Sequence, residues 1–308
     1  MRVTNQMLSS NVLQNIQRNL GSMQKYQEQL SSGRSVSKPS DNPMSTVRIM
    51  SLNTSIKGNE QHKKNIDSGT SWLGATDSAL TGVRDVMQRS RELCVYGASD
   101  TLSDDSRLAL AHEVEQLRDN LMQIANSDIE GRHIFGGHKT TDTPYVEEAG
   151  ENGETQVEYK GDGGKLNWEM AKGVTMDVNL TGEELFTFEV DGEEGEEGNL
   201  FDVLNTLEKA LIDGDTDKIS NEILKNMDEG INNVLNHTSV VGARMNRLEM
   251  ATDRSFEDKL NMTTGLTELY DIDMAEVLMN YKVQENVYMA SLSTGARAVQ
   301  PSLVDYLR

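Results

Sequence analysis

The chain has 308 residues and a net charge of −21, which excludes a nucleic-acid binder, because neutralising phosphates needs clustered Lys and Arg. No run of about 18 apolar residues is present to span a bilayer, and the single cysteine, Cys94, excludes an internal disulfide. That length holds one large domain or two to three ordinary ones. Aromatics at 5% and hydrophobics at 36%, with 16 Met and only 4 Pro, suit long helices with thin apolar seams better than a compact mixed core.

The opening stretch MRVTNQMLSSNVLQ has neither an apolar core nor a small-residue cleavage site, so no secretory signal peptide is expected. From there Leu13, Ile16, Leu20, Met23 and Leu30 recur at heptad spacing, interrupted by Gln27, which predicts a coiled-coil seam. Gly33 ends it at the position where a left-handed backbone is needed. Asn42 and Pro43 read as the N-cap and first residue of the next helix, since proline has no amide to leave unpaired there. LSSGRSVSKPSDNP, residues 30 to 43, is therefore a helix stop, a loop and a helix start.

A second helix is expected from Pro43 to about Tyr96, with Trp72, Leu80, Val83, Met87 and Cys94 inward and a break in its polar first half. Ser103 with Asp104 and Asp105 makes a strong helix start. Leu110, Val114, Leu117, Leu121 and Ile124 form the seam of that third helix, expected to close near Gly131.

Residues 145 to 198 hold 16 Asp/Glu against 3 Lys and 10 of the 25 glycines. The period there changes to two: Val157 and Tyr159, then Leu166, Trp168 and Met170, then Val174, Met176, Val178 and Leu180 alternate with polar residues. This predicts a small antiparallel β domain, with GDGG (161 to 164) as a hairpin turn and DGEEGEEGN (191 to 199) as an acidic loop. Helical spacing returns at Leu200, Leu204, Leu207 and Leu211, again at Met227, Ile231, Val234, Val241, Met245 and Leu248, and last at Tyr270, Met274, Val277, Tyr281 and Tyr288.

The fold class expected is mainly α with a small inserted antiparallel β domain, a long helical bundle with N- and C-terminal coiled-coil helices. Its domains are 1–42 with 264–308 as a terminal coiled-coil assembly domain, 43–144 with 199–263 as a helical bundle, and 145–198 as a projecting acidic insert.

Catalytic, cofactor and metal sites are not expected. The histidines, His62, His112, His133, His138 and His237, lack ligand spacing on any helix face. GDGGK lacks the upstream glycine and trailing Ser/Thr of a phosphate loop, and no nucleophile motif surrounds Cys94, which reads as a small core residue. The acidic loop lacks the alternating oxygen ligands of a calcium loop. The 110–124 and 227–248 seams are expected inside the molecule. The terminal pair is too thin to cover Leu278, Leu292, Val299 and Leu303, which predicts neighbouring subunits over them.

LSSGRSVSKPSDNP resembles the signature after the first helix of the bacterial flagellin superfamily. LTELYDIDMAEVLMNYKVQENVYMASLSTGARAVQPSLVDYLR resembles that superfamily's C-terminal helix. LRDNLMQIANSDIEGRHIFGGHKTTDTPY (117 to 145) is similar to the corresponding segment of its junction proteins between hook and filament. The resemblance implies a non-enzymatic structural protein, exported unfolded through the flagellar type III channel without a cleaved signal and located at the hook–filament junction. It implies as partners further copies in a ring, a hook-side junction protein, filament flagellin and an export chaperone, with no nucleic acid and no membrane insertion. Carried onto this chain, the assembly surface is Leu13, Ile16, Leu20, Met23, Leu30, Tyr270, Met274, Val277, Tyr281, Tyr288 and Leu303. The alternatives are a filament flagellin, an exported coiled-coil tip protein of an injection-type type III system, and an enzyme carried on the acidic insert.

Overall fold

A computed structural model describes residues 5–99, 102–149, 155–190 and 197–299. They form two compact units, one taking the described residues up to Gly58 and from Glu257, the other Asn59–Phe256.

In the first unit, helix α1 (Asn5–Ser32) packs along helix α8 (Met274–Val299). α1 stops as glycine chemistry requires: Gly33 takes φ +71° and donates its N–H to Gln29 O at 2.8 Å. The loop that follows is pinned to the turn before α8. Ser35 N–H donates to Tyr270 O at 2.7 Å, its hydroxyl to Leu269 O at 2.8 Å, and Ile272 N–H to Gly33 O at 3.3 Å. The Arg34 guanidinium lies 4.6 Å from the Tyr270 ring centroid. Asn42 then caps helix α2 (Pro43–Gly97), its side-chain oxygen accepting from Ser45 N at 3.1 Å.

α2 runs 55 residues without the expected break. Its polar hydroxyls satisfy themselves on the preceding turn, as Thr46 does on Asn42 O and Thr54 on Met50 O. Across the second unit the Asn59 amide donates to Ser255 O at 2.7 Å and accepts from the Ser255 hydroxyl at 2.8 Å.

Helix α3 (Asp104–Ala125) begins as expected, with Ser103 accepting from Ser106 N, but it ends at Ala125. Gly131 lies beyond it, in the tight turn between strands β1 (Asp128–Ile129) and β2 (Arg132–His133), where φ is +77°. Asp128 instead bonds the turn amide of Gly131 at 3.0 Å, an arrangement that competes with another helical turn.

Strands β3 (Tyr145–Ala149) and β4 (Thr155–Tyr159) pair, as do β5 (Asn167–Ala171) and β6 (Val174–Asp177). After helix α4 (Gly182–Phe186), β7 (Thr187–Glu189) pairs with β8 (Glu197–Asn199). GDGG is thus a link between two hairpins, not a hairpin turn. The insert also lacks a core of its own. Two-stranded pairs cannot bury enough surface alone, so Met170, Met176, Val178 and Leu180 join one core with the helices. Gly69 of α2 lets Trp168, Val178 and Leu248 close onto the helix. Helix side chains also bond the insert's backbone: Asn233 to Leu185 O at 2.9 Å and Arg244 to Asn179 O at 2.9 Å.

Helix α5 (Leu200–Asp213) buries Leu200, Leu204, Leu207 and Leu211 completely and ends on left-handed Gly214. A short helix α6 (Thr216–Lys218) and one π turn (Ile219–Ile223) lead into helix α7 (Leu224–Tyr270), whose Met227, Val234, Val241 and Leu248 are buried. An aromatic cluster of Phe135, Tyr145, Phe186 and Phe201 fills the centre, with neighbouring ring centroids 5.1–5.7 Å apart. The expected seam from Tyr270 to Tyr288 is interrupted: α7 ends at Tyr270, and Asp273 caps α8 by accepting from Ala275 N at 2.9 Å.

Candidate functional site

The α1–α8 pair is held by a different register from the one the heptads suggest. Val12, Ile16, Asn19, Met23, Tyr26 and Leu30 are among the half-buried residues of α1, whereas Leu13 and Leu20 stay 58% and 38% exposed. Two observations explain the shift. Gly295 is buried with Val12 and Ile16 set against it, where a side chain would run into Val12. Asn19 donates to the Ser291 hydroxyl at 2.9 Å and accepts from the Gln284 amide at 3.3 Å, so the polar interruption lies inside the seam. A single polar pair at such a position fixes register at some cost in stability.

On the other helix Val277, Tyr281 and Tyr288 are half-buried, Tyr270 sits under Arg34, and Met274 is 53% exposed. Leu303 lies outside the described residues. Val299 closes α8. The pairing leaves apolar side chains open on both flanks of α8, Leu278, Met289 and Leu292 on one and Met279, Val283 and Val287 on the other, each 40–64% exposed. Sequence reasoning identified Leu278 and Leu292 but missed the others, although their spacing along a helix without acidic residues after Glu285 was visible. Gly295 and Ser291 were missed because small residues carry no hydrophobic signal, whereas Gln284 was legible as the polar position of the last seam.

The FGG segment has a physical reason for its glycines. Gly137 adopts φ +67°, and a side chain there would run into Asp162; one on Gly164 would run into the His138 ring. The Asp162 carboxylate accepts the His138 amide at 2.5 Å and the Gly164 amide at 3.3 Å. These bonds, the His138 amide first, hold its carboxyl below the usual carboxylate range. Tyr159 donates its hydroxyl to Phe135 O at 2.8 Å, and Gly182 N–H reaches the same oxygen at 2.9 Å. Burial pushes the Tyr159 phenol up to about 12 and the Cys94 thiol, weakly bonded to Ile219 O at 3.7 Å, up to about 11. Among the described residues no three His, Cys, Asp or Glu side chains group as metal ligands, and no helix is long and apolar enough to cross a membrane.

Two long helices meeting from opposite ends of the sequence, a pinned joint after the first, and open apolar flanks on the second define a flagellin-type structural protein. Residues 3–140 match the bacterial flagellin N-terminal helical region and 224–307 the C-terminal helical region. Flagellar hook-associated protein 3 of Escherichia coli K12 is 30% identical over 94% of this chain and 95% of its own length. The Bacillus subtilis flagellin is 26% identical over 97% of both chains. The fold is shared with a crystal structure of flagellar hook-associated protein 3 from Legionella pneumophila, at TM-score 0.65 and 17% identity over 72% of this chain and 98% of that one. The chain belongs to the flagellar hook-associated protein 3 family of flagellin-like structural proteins.

Proposed function

We propose that this chain is a junction subunit that connects the flagellar hook to the filament, and that it acts by stacking and not by catalysis. The observation that carries the reading is the apolar side chains left open on the two flanks of α8, with Leu13 and Leu20 exposed on α1. Exposed apolar surface of this extent marks interaction faces, and in the assembled organelle other copies, a hook-side junction protein and filament flagellin cover them. The assembly surface comprises Leu13, Ile16, Leu20, Met23 and Leu30 with Tyr270, Met274, Val277, Tyr281, Tyr288 and Leu303. In domain terms, 1–42 with 264–308 assemble, 43–144 with 199–263 support, and 145–198 face outward. Export proceeds unfolded through the type III channel, with a chaperone, and without cleavage of a leader.

Electron microscopy of cells deleted for the gene tests this. Hooks lacking filaments are expected; normal filaments on intact hooks overturn the proposal. Purified chain is also expected not to form long filaments by itself, and doing so would identify it as a filament flagellin.

A further inference from the structure

We propose that a cleft between α2, the β1–β2 turn and β5 is a binding site for a neutral saccharide. The cleft has a volume of about 540 Å³, within the range of small-molecule sites. Trp72 and Trp168, the only two tryptophans of the chain, both line it, in an edge-to-face pair with centroids 6.5 Å apart.

The polar groups in its wall specify what the ligand must carry. Trp72 is buried with its indole nitrogen closed to solvent, and Trp168 is half-buried, so Trp168 offers the ring that a ligand can reach. Arg132 lies at the rim with no ion pair among the described residues. Its guanidinium is a donor, so the ligand brings acceptors, and a simple cation does not. Asp67, Glu130 and Glu169 are acceptors in the same wall. Asp67 shares its charge with Lys63 at 3.3 Å, and Glu169 accepts from Gly173 N at 2.9 Å. Three carboxylates around one guanidinium repel an anion. A molecule that presents hydroxyl donors and acceptors together, with a C–H face for an indole, satisfies every group, and a pyranose has that chemistry.

The backbone supplies an independent observation. Ile129 and Arg132 pair across the turn, and both residues between them are left-handed, Glu130 at φ 53° and Gly131 at φ 77°. Such turns favour Asn, Asp or Gly at the first of these positions. Glu130 is the one described non-glycine residue with positive φ, and it carries a carboxylate to the cleft. Backbone strain kept beside a cleft is the pattern of a ligand site.

The test uses the full chain labelled with ¹⁵N, whose two indole N–H resonances report directly on the site. Maltotriose, lactose and the N-acetylglucosamine trimer are titrated, with inorganic phosphate and tetramethylammonium as charged probes. At least one saccharide is expected to shift both resonances saturably at millimolar concentration while the two ions do not. Glu130→Gly and Arg132→Ala are each expected to weaken that binding about tenfold, the loss of one charge-assisted hydrogen bond. Glu130→Gly is expected to melt no lower than the parent chain, which separates a lost contact from a lost fold. The proposal is overturned if no saccharide shifts the resonances, if either ion shifts them as strongly, if self-association without sugar produces the same shifts, or if both variants bind as the parent does.

Discussion

Replacing Leu20 by Asp separates the stability of the free chain from its capacity to assemble. Leu20 is 38% exposed and its neighbour on the same open side, Leu13, 58%. A leucine gains about 1.5–3 kcal/mol on full burial, so the exposed fractions leave each of them about 1 kcal/mol to gain when a second subunit covers it. In the free chain the part of Leu20 already covered is worth about 1–2 kcal/mol on the same scale, a fall of about 5–10 °C in melting temperature for a unit of this size. Under a neighbouring subunit the same carboxylate is buried without a partner, at a cost of about 3–5 kcal/mol. Together the losses reach about 4–6 kcal/mol per subunit, a thousandfold or more in the association equilibrium. Circular dichroism melts of purified Leu20→Asp, combined with immunoblots of sheared flagella and motility in soft agar, read both quantities. A melt lowered by no more than about 10 °C with no incorporation is expected. Normal incorporation refutes the assembly surface, and a melt lowered by about 15 °C or more refutes the claim that Leu20 is peripheral in the free chain.

Gly137→Ala places a Cβ against Asp162 at a backbone φ of +67°, combining a left-handed penalty of about 1–2 kcal/mol with an overpacking cost of about 1–3 kcal/mol. Urea denaturation is expected to show a loss of about 3 kcal/mol, and a loss below 1 kcal/mol contradicts the clasp. Cys94 rises from 9.0 to about 11 on folding, so above pH 9 the unfolded thiol releases a proton that the folded one keeps. Stability therefore falls as pH rises from 9 toward 11, by about 1.4 kcal/mol per pH unit. Comparing the parent with Cys94→Ala at pH 8 and pH 10 isolates this, because the tyrosines contribute equally to both; identical losses in the two proteins refute it.

The helices were legible because each has a strong local signal. Ser103 before two aspartates, Gly33 after a heptad run and Asn42–Pro43 each set a terminus that the structure keeps. What the sequence could not supply was choice between equivalent registers. Val12, Ile16, Asn19, Met23, Tyr26 and Leu30 repeat as regularly as Leu13, Ile16, Leu20, Met23 and Leu30. Each series has one polar interruption, and only the partner helix, through Gly295 and Ser291, decides between them. The strands were legible by alternation, but their pairing was not. Whether a glycine-rich link closes one hairpin or joins two depends on what Asp162 and Gly164 meet across the chain at His138. The central aromatic cluster escaped notice because Phe135 lies in the loop after β2, Phe186 at the end of α4 and Phe201 at the start of α5, with no common period.

In the described residues of the insert, every strand has one hydrogen-bonded neighbour and no second. No ladder there passes order from one pair to the next, and the pairs are tied instead to the helices and to single bonds such as the two that reach Phe135 O. Lengthening or trimming one pair leaves the backbone bonding of the others untouched. The insert is therefore a place where one strand pair can change in length or surface without redrawing the ladders beside it.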